Sequence, residues 1–283
     1  MKRIKSFDNS HPLLYLIATP IGNLGEFSNR AIDVIKELDY IASEDTRNTK
    51  SLLSKFNLDK RCISLREHNE VEASLNVIND IKNGKKVAYM SDAGYPAISD
   101  PGNILVKLAV ENDIAVSVIS GSSAFINALT SSNLNTDHFY FHGFLSAKEN
   151  EARKELKKLK EKEETLIFYE SPHRIEETMK ILYEELGNRA VVLHRELTKI
   201  NEEKIYGNLE EFQHLDYQSL KGEMVIVIAG KKQENTLNDE EILAKVQYFL
   251  NFGVDKKTAT EIVSDLYNIK KNTIKELLIK KEK

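Results

Sequence analysis

From Leu13 to Thr130 the chain alternates short apolar runs with helical stripes, and few folds accommodate that alternation. The runs Leu13 to Thr19, Tyr40 to Ala42, Cys62 to Leu65, Val87 to Met90 and Ile114 to Ile119 are short and apolar, which suits strands. Between them, Ala31, Ile32, Ile35 and Leu38, the segment Glu72 to Asn83, and Ile104, Leu105, Leu108 and Ala109 repeat with a helical period. Strands that alternate with helices predict a parallel sheet covered on both faces. Ligands of such sheets collect at the carboxyl ends of the strands.

The loops at those ends carry the chemistry. Val87 to Met90 empties into Ser91 to Gly102, SDAGYPAISDPG, which packs glycines, prolines and aspartates more densely than a single turn needs. Gly94 and Gly102 allow close backbone approach, while Pro96 and Pro101 stiffen the loop. The first strand ends in Pro20-Ile21-Gly22-Asn23-Leu24-Gly25, which lacks the GxGxxG of a dinucleotide cradle. The second delivers Glu44-Asp45-Thr46-Arg47, which suits either substrate positioning or a helix N-terminus capped by the acids and Thr46. Ser120 to Ala124 offers N–H groups to a ligand or simply opens a helix. Of the 5 prolines, Pro20, Pro96, Pro101 and Pro172 all fall in strand-end loops, as in a preorganised pocket.

The polar stretch Ser131 to Asp137 predicts a domain boundary, giving domains at 1–132 and 133–232. The second domain predicts strands at Phe139 to Phe144, Thr165 to Tyr169, Ala190 to Arg195, Lys204 to Tyr206 and Glu223 to Ala229. Helices are expected over Lys148 to Glu164 and after Ser171, as N-cap, with Pro172 at the first helical position. Glu170, His173 and Arg174 then lie at a strand's carboxyl end. A polar linker over Lys231 to Asn238 precedes a lysine-rich module, 233–283, with helical patterns at Glu240 to Phe252, Lys256 to Tyr267 and Asn272 to Lys281. Its basic ends fit phosphate contacts or a merely solvated surface.

Composition narrows the classes further. The 283 residues carry a formal net charge of -4, so no global basic field attracts free nucleic acid. Cys62 is the sole cysteine, which excludes an internal disulfide and fits a reducing cytoplasm. No apolar run reaches the length of a membrane span.

The motifs resemble one family. SDAGYPAISDPG, together with TPIGNL (Thr19 to Leu24), EDTR (Glu44 to Arg47), YESPHR (Tyr169 to Arg174), RELTK (Arg195 to Lys199) and KGE (Lys221 to Glu223), closely resembles the RsmI-type methyltransferases. These are 16S rRNA (cytidine-2′-O)-methyltransferases of the tetrapyrrole-methylase fold, and the resemblance runs in unbroken order from Leu13 to Gly230. The resemblance implies two α/β domains with S-adenosylmethionine in the cleft between them, plus the small helical module. Carried over by position, the donor would be lined by Pro20 and Gly22, by Ser91, Asp92, Ala93, Gly94 and Pro96, by Gly121, Ser122, Ser123 and Ala124, and by Phe144 and Leu145. A cytoplasmic homodimer acting on 16S rRNA in the assembled small subunit is implied, with neither DNA nor a membrane as partner and no metal.

Ribose methylation needs orientation of an already activated methyl group and a base for a poorly acidic hydroxyl. Asp92, Glu44 and Glu170 are the candidate carboxylates, with Asp92 first, and Arg47 is the candidate phosphate clamp. Two other functions remain open at this level: a methyltransferase acting on a precorrin-type tetrapyrrole, and a ribosome-assembly factor that binds without chemistry.

Overall fold

The structure is a computed structural model that describes residues 3–7, 12–232, 237–267 and 269–281. The chain divides into two compact units, Met1–Lys231 and Lys232–Lys283. Residues 233–236 of the expected linker lie outside the described residues.

All ten strands expected from the apolar runs form. Strands β1 (Leu13–Ile17), β2 (Tyr40–Ser43), β3 (Cys62–Ser64), β4 (Val87–Met90) and β5 (Ala115–Ile119) make one sheet in the order β3-β2-β4-β1-β5. Every pairing in it is parallel. Each residue of β4 is buried because both faces are covered. Val87 and Tyr89 pack with Val77, Ile81 and Leu105 of helices α3 (Glu70–Lys82) and α4 (Asn103–Glu111). Ala88 and Met90 point the other way, against Ala31, Ile35 and Leu53 of α1 (Asn29–Glu37) and α2 (Thr46–Lys55). Since β4, β1 and β5 are neighbours, the loops that follow them emerge side by side.

The sequence placed helix α5 (Ala124–Thr130) after β5, and it leads into a second sheet. That sheet orders β6 (Phe139–Phe144), β7 (Thr165–Glu170), β10 (Met224–Ile228), β8 (Ala190–Arg195) and β9 (Glu203–Asn208) in space. Only β6 and β7 run parallel, joined through α6 (Glu149–Leu159); β10 inserts antiparallel between β7 and β8. One face packs on α6 and α7 (Ile175–Leu186), and the other packs on α5.

Helix boundaries depart from expectation at several places. The charged helix stops at Leu159, short of Glu164. Helix α7 begins at Ile175: the Ser171 carbonyl accepts from the N–H groups of Arg174 and Ile175, so Ser171 to Arg174 form a turn ahead of it. At α2 the cap is Asp45, whose carboxylate accepts the Arg47 N–H at 2.8 Å, and Thr46 is the first helical residue.

In the second unit, α8 (Asp239–Asn251) opens with a capping box between Asn238 and Glu241. With α9 (Lys256–Tyr267) and α10 (Lys271–Lys281) it encloses its own core of Ile242, Val246, Ala259, Val263 and Ile274.

Candidate active site

The loop Ser91 to Gly102 is held at both ends by hydrogen bonds rather than by packing alone. At its start, Thr19 and Gly94 exchange backbone bonds of 2.9 and 3.1 Å, and the Thr19 hydroxyl donates to the Ser91 carbonyl at 3.2 Å. The Gly121 N–H donates to the Tyr95 hydroxyl at 3.2 Å, which ties in the loop after β5. At its end, the buried Glu70 carboxylate accepts the N–H groups of Gly102 and Ile104 at 2.8 and 3.0 Å. Those donors belong to the first turn of α4, which a carboxylate satisfies well. Gly102 has φ +128°, and a Cβ there would lie 2.8 Å from Tyr89 Cε1, so no other residue fits. In between, Ala97 and Ser99 adopt left-handed φ of 66° and 60°, a strained conformation for residues with a Cβ.

These loops, the carboxyl ends of β6 and β7 and the amino end of β10 border a cavity of ≈ 280 Å³. Ile21, Gly94 and Tyr95 contribute from the first sheet; Phe144, Tyr169 and Met224 contribute from the second. Phe144 is 55% exposed and meets Tyr169 edge-on at 5.5 Å. A bulge between Phe141 and Gly143 redirects the end of β6 toward the cavity, and a Cβ on Gly143 would stand 3.1 Å from Ser99 Oγ. Ile21 itself is buried among Ile167, Val225 and Val227 of the second sheet.

Of the residues expected to hold a donor, Ala93, Gly94, Ser123, Ala124 and Phe144 line the cavity. Ser91 and Leu145 are buried behind it, at 1% and 3% exposure. Pro20, Gly22, Asp92, Pro96, Gly121 and Ser122 stand in the same loops without facing it. Gly22 is covered by Lys199, whose Cγ a Cβ would overlap, and the Ser122 hydroxyl donates to Glu26.

The expected catalytic residues separate. Asp92 accepts the Asp45 N–H at 3.1 Å on one oxygen and Asn48 Nδ2 at 2.8 Å on the other. Burial and the neighbouring Asp92 raise the Glu44 carboxyl above its ordinary range. The Arg47 guanidinium is bound twice by Asp45, at 3.1 and 2.6 Å, and holds that carboxyl well below the usual carboxylate range, yet its side chain is 86% exposed. Glu170 lines the cavity, but Oε1 accepts the Ser171 N–H at 2.7 Å and Oε2 accepts the Thr178 hydroxyl at 2.6 Å. It steadies the turn before α7.

Tyr95 falls in the lining loop Ser91 to Pro96, but sequence reasoning missed Asp100, Tyr169, Met224 and Val225. Asp100 lay in the quoted loop, but nothing in a string of letters says which of its aspartates turns inward. Met224 and Val225 read only as the start of a buried strand. Burial, followed by the charges of Glu44 and Asp92, pushes the Asp100 carboxyl up to about 7. Among the described residues no group of three or more His, Cys, Asp or Glu could hold a metal ion.

Residues 13–213 match the family described as Tetrapyrrole (Corrin/Porphyrin) Methylases. The Ribosomal RNA small subunit methyltransferase I of Halalkalibacterium halodurans is 41% identical, over 90% of this chain and 93% of that one. The protein of the same name from Bacillus subtilis is 37% identical over 97% of each. Among solved structures, the cobalamin biosynthetic enzyme cobalt precorrin-4 methyltransferase superposes with a TM-score of 0.57 at 15% identity, covering 78% of this chain and 95% of its own.

Proposed function

This chain belongs to the tetrapyrrole methylase family, in its RsmI-type branch, and from that premise we propose that it methylates the ribose 2′-oxygen of a cytidine in 16S rRNA, using S-adenosylmethionine. The chain is a methyltransferase. The observation that carries the rRNA substrate is the near-full-length match to relatives named for small-subunit rRNA. A tetrapyrrole substrate is not favoured, because the precorrin enzyme shares the fold alone. A binding factor without chemistry is not favoured either, since the relatives are named as methyltransferases.

The cavity suits this donor, which is cationic at sulfur. Its volume approaches the lower end of small-ligand sites, roughly 300 Å³. Among the described residues no Lys, Arg or His lines it, whereas the carboxyl groups of Asp100, Glu170 and Glu223 do. Gly94 lines the cavity without a side chain of its own, and an added Cβ would come into ordinary contact with Ile21 Cγ2 at 3.6 Å and the Ser122 carbonyl at 4.0 Å. Bound there, the donor supplies an activated methyl group. Ala93, Gly94, Ser123 and Ala124 would hold it through backbone, with Phe144 and Tyr169 as an apolar wall that keeps water from the reacting atoms. Pro20, Gly22, Ser91, Asp92, Pro96, Gly121, Ser122 and Leu145 would act from behind, fixing the loops. Arg47, outside the cavity and exposed, would meet the RNA backbone, with Asp45 aiming its guanidinium. Glu44 and Asp92 would set the charge around the ribose.

A homodimer belongs to this reading. Strand β6 is an edge of the second sheet, where a second copy can dock. Among the described residues no helix is long and apolar enough to cross a membrane, and we place the enzyme in the cytoplasm, where its substrate is assembled.

Incubation of the purified chain with labelled donor and small ribosomal subunits, followed by mass-spectrometric mapping of ribose methylation, tests the proposal. One cytidine should gain the label. Assembled subunits should react faster than protein-free 16S rRNA, because a net charge of -4 gives little attraction for bare RNA. Absence of any ribose mark would overturn the reading.

A further inference from the structure

Positive charge is unevenly spread along this chain. Over the full length acids outnumber Lys and Arg by 44 to 40, yet residues 46–66 hold six Lys and Arg against one acid, Asp59. The lysine-rich tail does not match this, since residues 233–283 carry nine lysines and nine acids. Segment 46–66 comprises α2, the edge strand β3 and the loops beside them. Helix α2 contains no acid; it buries Thr49 and Leu53 and leaves Arg47, Asn48, Lys50, Ser51, Ser54 and Lys55 exposed.

Most of these cations have no counter-ion. Arg47 is bound by Asp45 at 2.6 Å, and the Lys60 ammonium donates to the carbonyls of Lys36 and Leu38, both at 2.7 Å, closing the end of α1. Lys50, Lys55, Arg61 and Arg66 form no ion pair among the described residues. Arg66 Nε donates to the Glu44 carbonyl at 2.8 Å, which orients the guanidinium; its two terminal nitrogens make no hydrogen bond among the described residues. Arg47 and Arg66 both lower the Asp45 carboxyl, so both guanidinium groups lie at one turn, at the carboxyl end of β2. From there α2 leads to the amino end of the parallel strand β3, away from the strand ends that border the cavity. Over its length of about 15 Å it places Lys50 midway and Lys55 at the far end.

We propose that α2 and the end of β3 form the surface on which 16S rRNA lays its phosphates. Arg66 and Arg47 hold the strand nearest the target nucleotide, and Lys50 and Lys55 hold phosphates further along. The proposal rests on the reading of the chain as an rRNA methyltransferase and says where that substrate lies. Single positive charges spaced along a helix, with Asn and Ser donors between them, suit the successive phosphates of a strand better than one small anion. At the turn, a guanidinium oriented by a carbonyl keeps two donors in one plane, the geometry that fits a phosphate. The net charge of -4 disfavours RNA over the surface as a whole, so a local basic track also fixes the direction of approach.

The test measures binding of the full-length chain to small subunits and to protein-free 16S rRNA across about 50 to 200 mM salt. It compares wild type with K50Q/K55Q/R66Q and with K270Q/K275Q/K280Q, which removes the same charge from the tail. The first variant should bind both RNAs at least about tenfold more weakly at low salt, and its salt slope should fall by about two units for three lost contacts. Donor affinity by calorimetry should change by less than about twofold, because none of the three residues lines the cavity. A slope that falls no further than in the tail variant overturns the surface, since lost net charge alone would explain it. Weaker binding to subunits with rRNA binding intact also overturns it, because α2 would then meet a ribosomal protein. Should loss of the Arg66 bond to Glu44 unsettle the fold, K50Q/K55Q decides instead, with about 1.4 units of slope expected. A wild-type chain with no salt-dependent affinity for either RNA overturns the substrate reading, a result distinct from a triple variant that matches wild type.

Discussion

The carboxylate of Glu70, on α3, accepts the backbone N–H of Gly102 at 2.8 Å, so a helix of the first sheet holds the far end of the loop that forms the cavity wall. The same oxygen takes the Ile104 N–H at 3.0 Å, and the side chain is 9% exposed. Glu70→Ala would leave both donors unpaired in a poorly hydrated place. Loss of a charge-assisted pair of this kind costs about 2–3 kcal/mol. Urea denaturation should report that loss, and calorimetry should show weaker donor binding as the loop relaxes. Glu70→Gln keeps an acceptor and should recover about half of the stability.

His194 gives a stability signal on the acid side of neutral. It is fully buried, and Nε2 faces the Ser131 hydroxyl at 3.2 Å. Burial, with help from Lys204, lowers its pKa from 6.5 to about 4. Below pH 6.5 the unfolded chain therefore binds a proton that the native chain refuses, so stability falls as pH drops from 6.5 to 4 and levels off beneath. The full effect is about 3 kcal/mol. Asp100 acts oppositely, because its raised pKa favours the native state at low pH and loses that advantage as pH rises toward 7. Subtracting the profile of His194→Gln from that of wild type at each pH isolates the histidine. A flat difference between pH 7 and 4 would refute it.

Gly94 sits at φ +78° in the bridge to Thr19 and lines the cavity. A valine there both adopts a backbone conformation that a β-branched residue resists and fills the space proposed for the donor. Gly94→Val should weaken S-adenosylmethionine binding at least about tenfold, or about 1.4 kcal/mol. Circular dichroism should still show both sheets. A folded variant with unaltered donor affinity would remove Gly94 from the donor site.

The helical unit has a core of its own in Ile242, Val246, Ala259, Val263 and Ile274. Removal of residues 233–283 should therefore leave the first unit folded and able to bind donor. If its lysines meet phosphate, apparent affinity for small subunits should fall and its salt dependence should flatten by about one unit of slope per lost contact. Turnover at saturating subunit should fall less, since the unit supplies binding rather than reacting geometry. An unchanged salt slope in the truncated chain would show that the tail makes no phosphate contact.

The strands were legible because buried parallel strands must be continuously apolar, and Val87 to Met90 or Thr165 to Tyr169 have no polar break to obscure them. Their order in space was less so. That β10 inserts between β7 and β8 depends on antiparallel pairing across long separations, and no local signal near Met224 reports it. Helix α7 shows how a strong local signal loses: Ser171-Pro172 reads as a helix start, but Glu170 draws the Ser171 N–H back and the chain spends a turn first. At the site, the loops were visible from their glycines and prolines. Which of their carboxylates faces inward was not, because Ala97 and Ser99 carry no residue-type signature of the left-handed backbone that turns Asp100 toward the cavity.

Ile21 carries a consequence for how the enzyme is entered. It leaves the first sheet's loop to pack beside Ile167, Val225 and Val227, so the two sheets are bolted together next to the cavity mouth. Prising them apart would expose that side chain and its neighbours at a cost of about 1.5–3 kcal/mol per large apolar residue. A clam-shell motion is thus the expensive route for exchanging donor and product. The cheaper door is at the rim, where Phe144 and Ile98 are 55% and 43% exposed and can swing by side-chain rotation while the bolt stays in place.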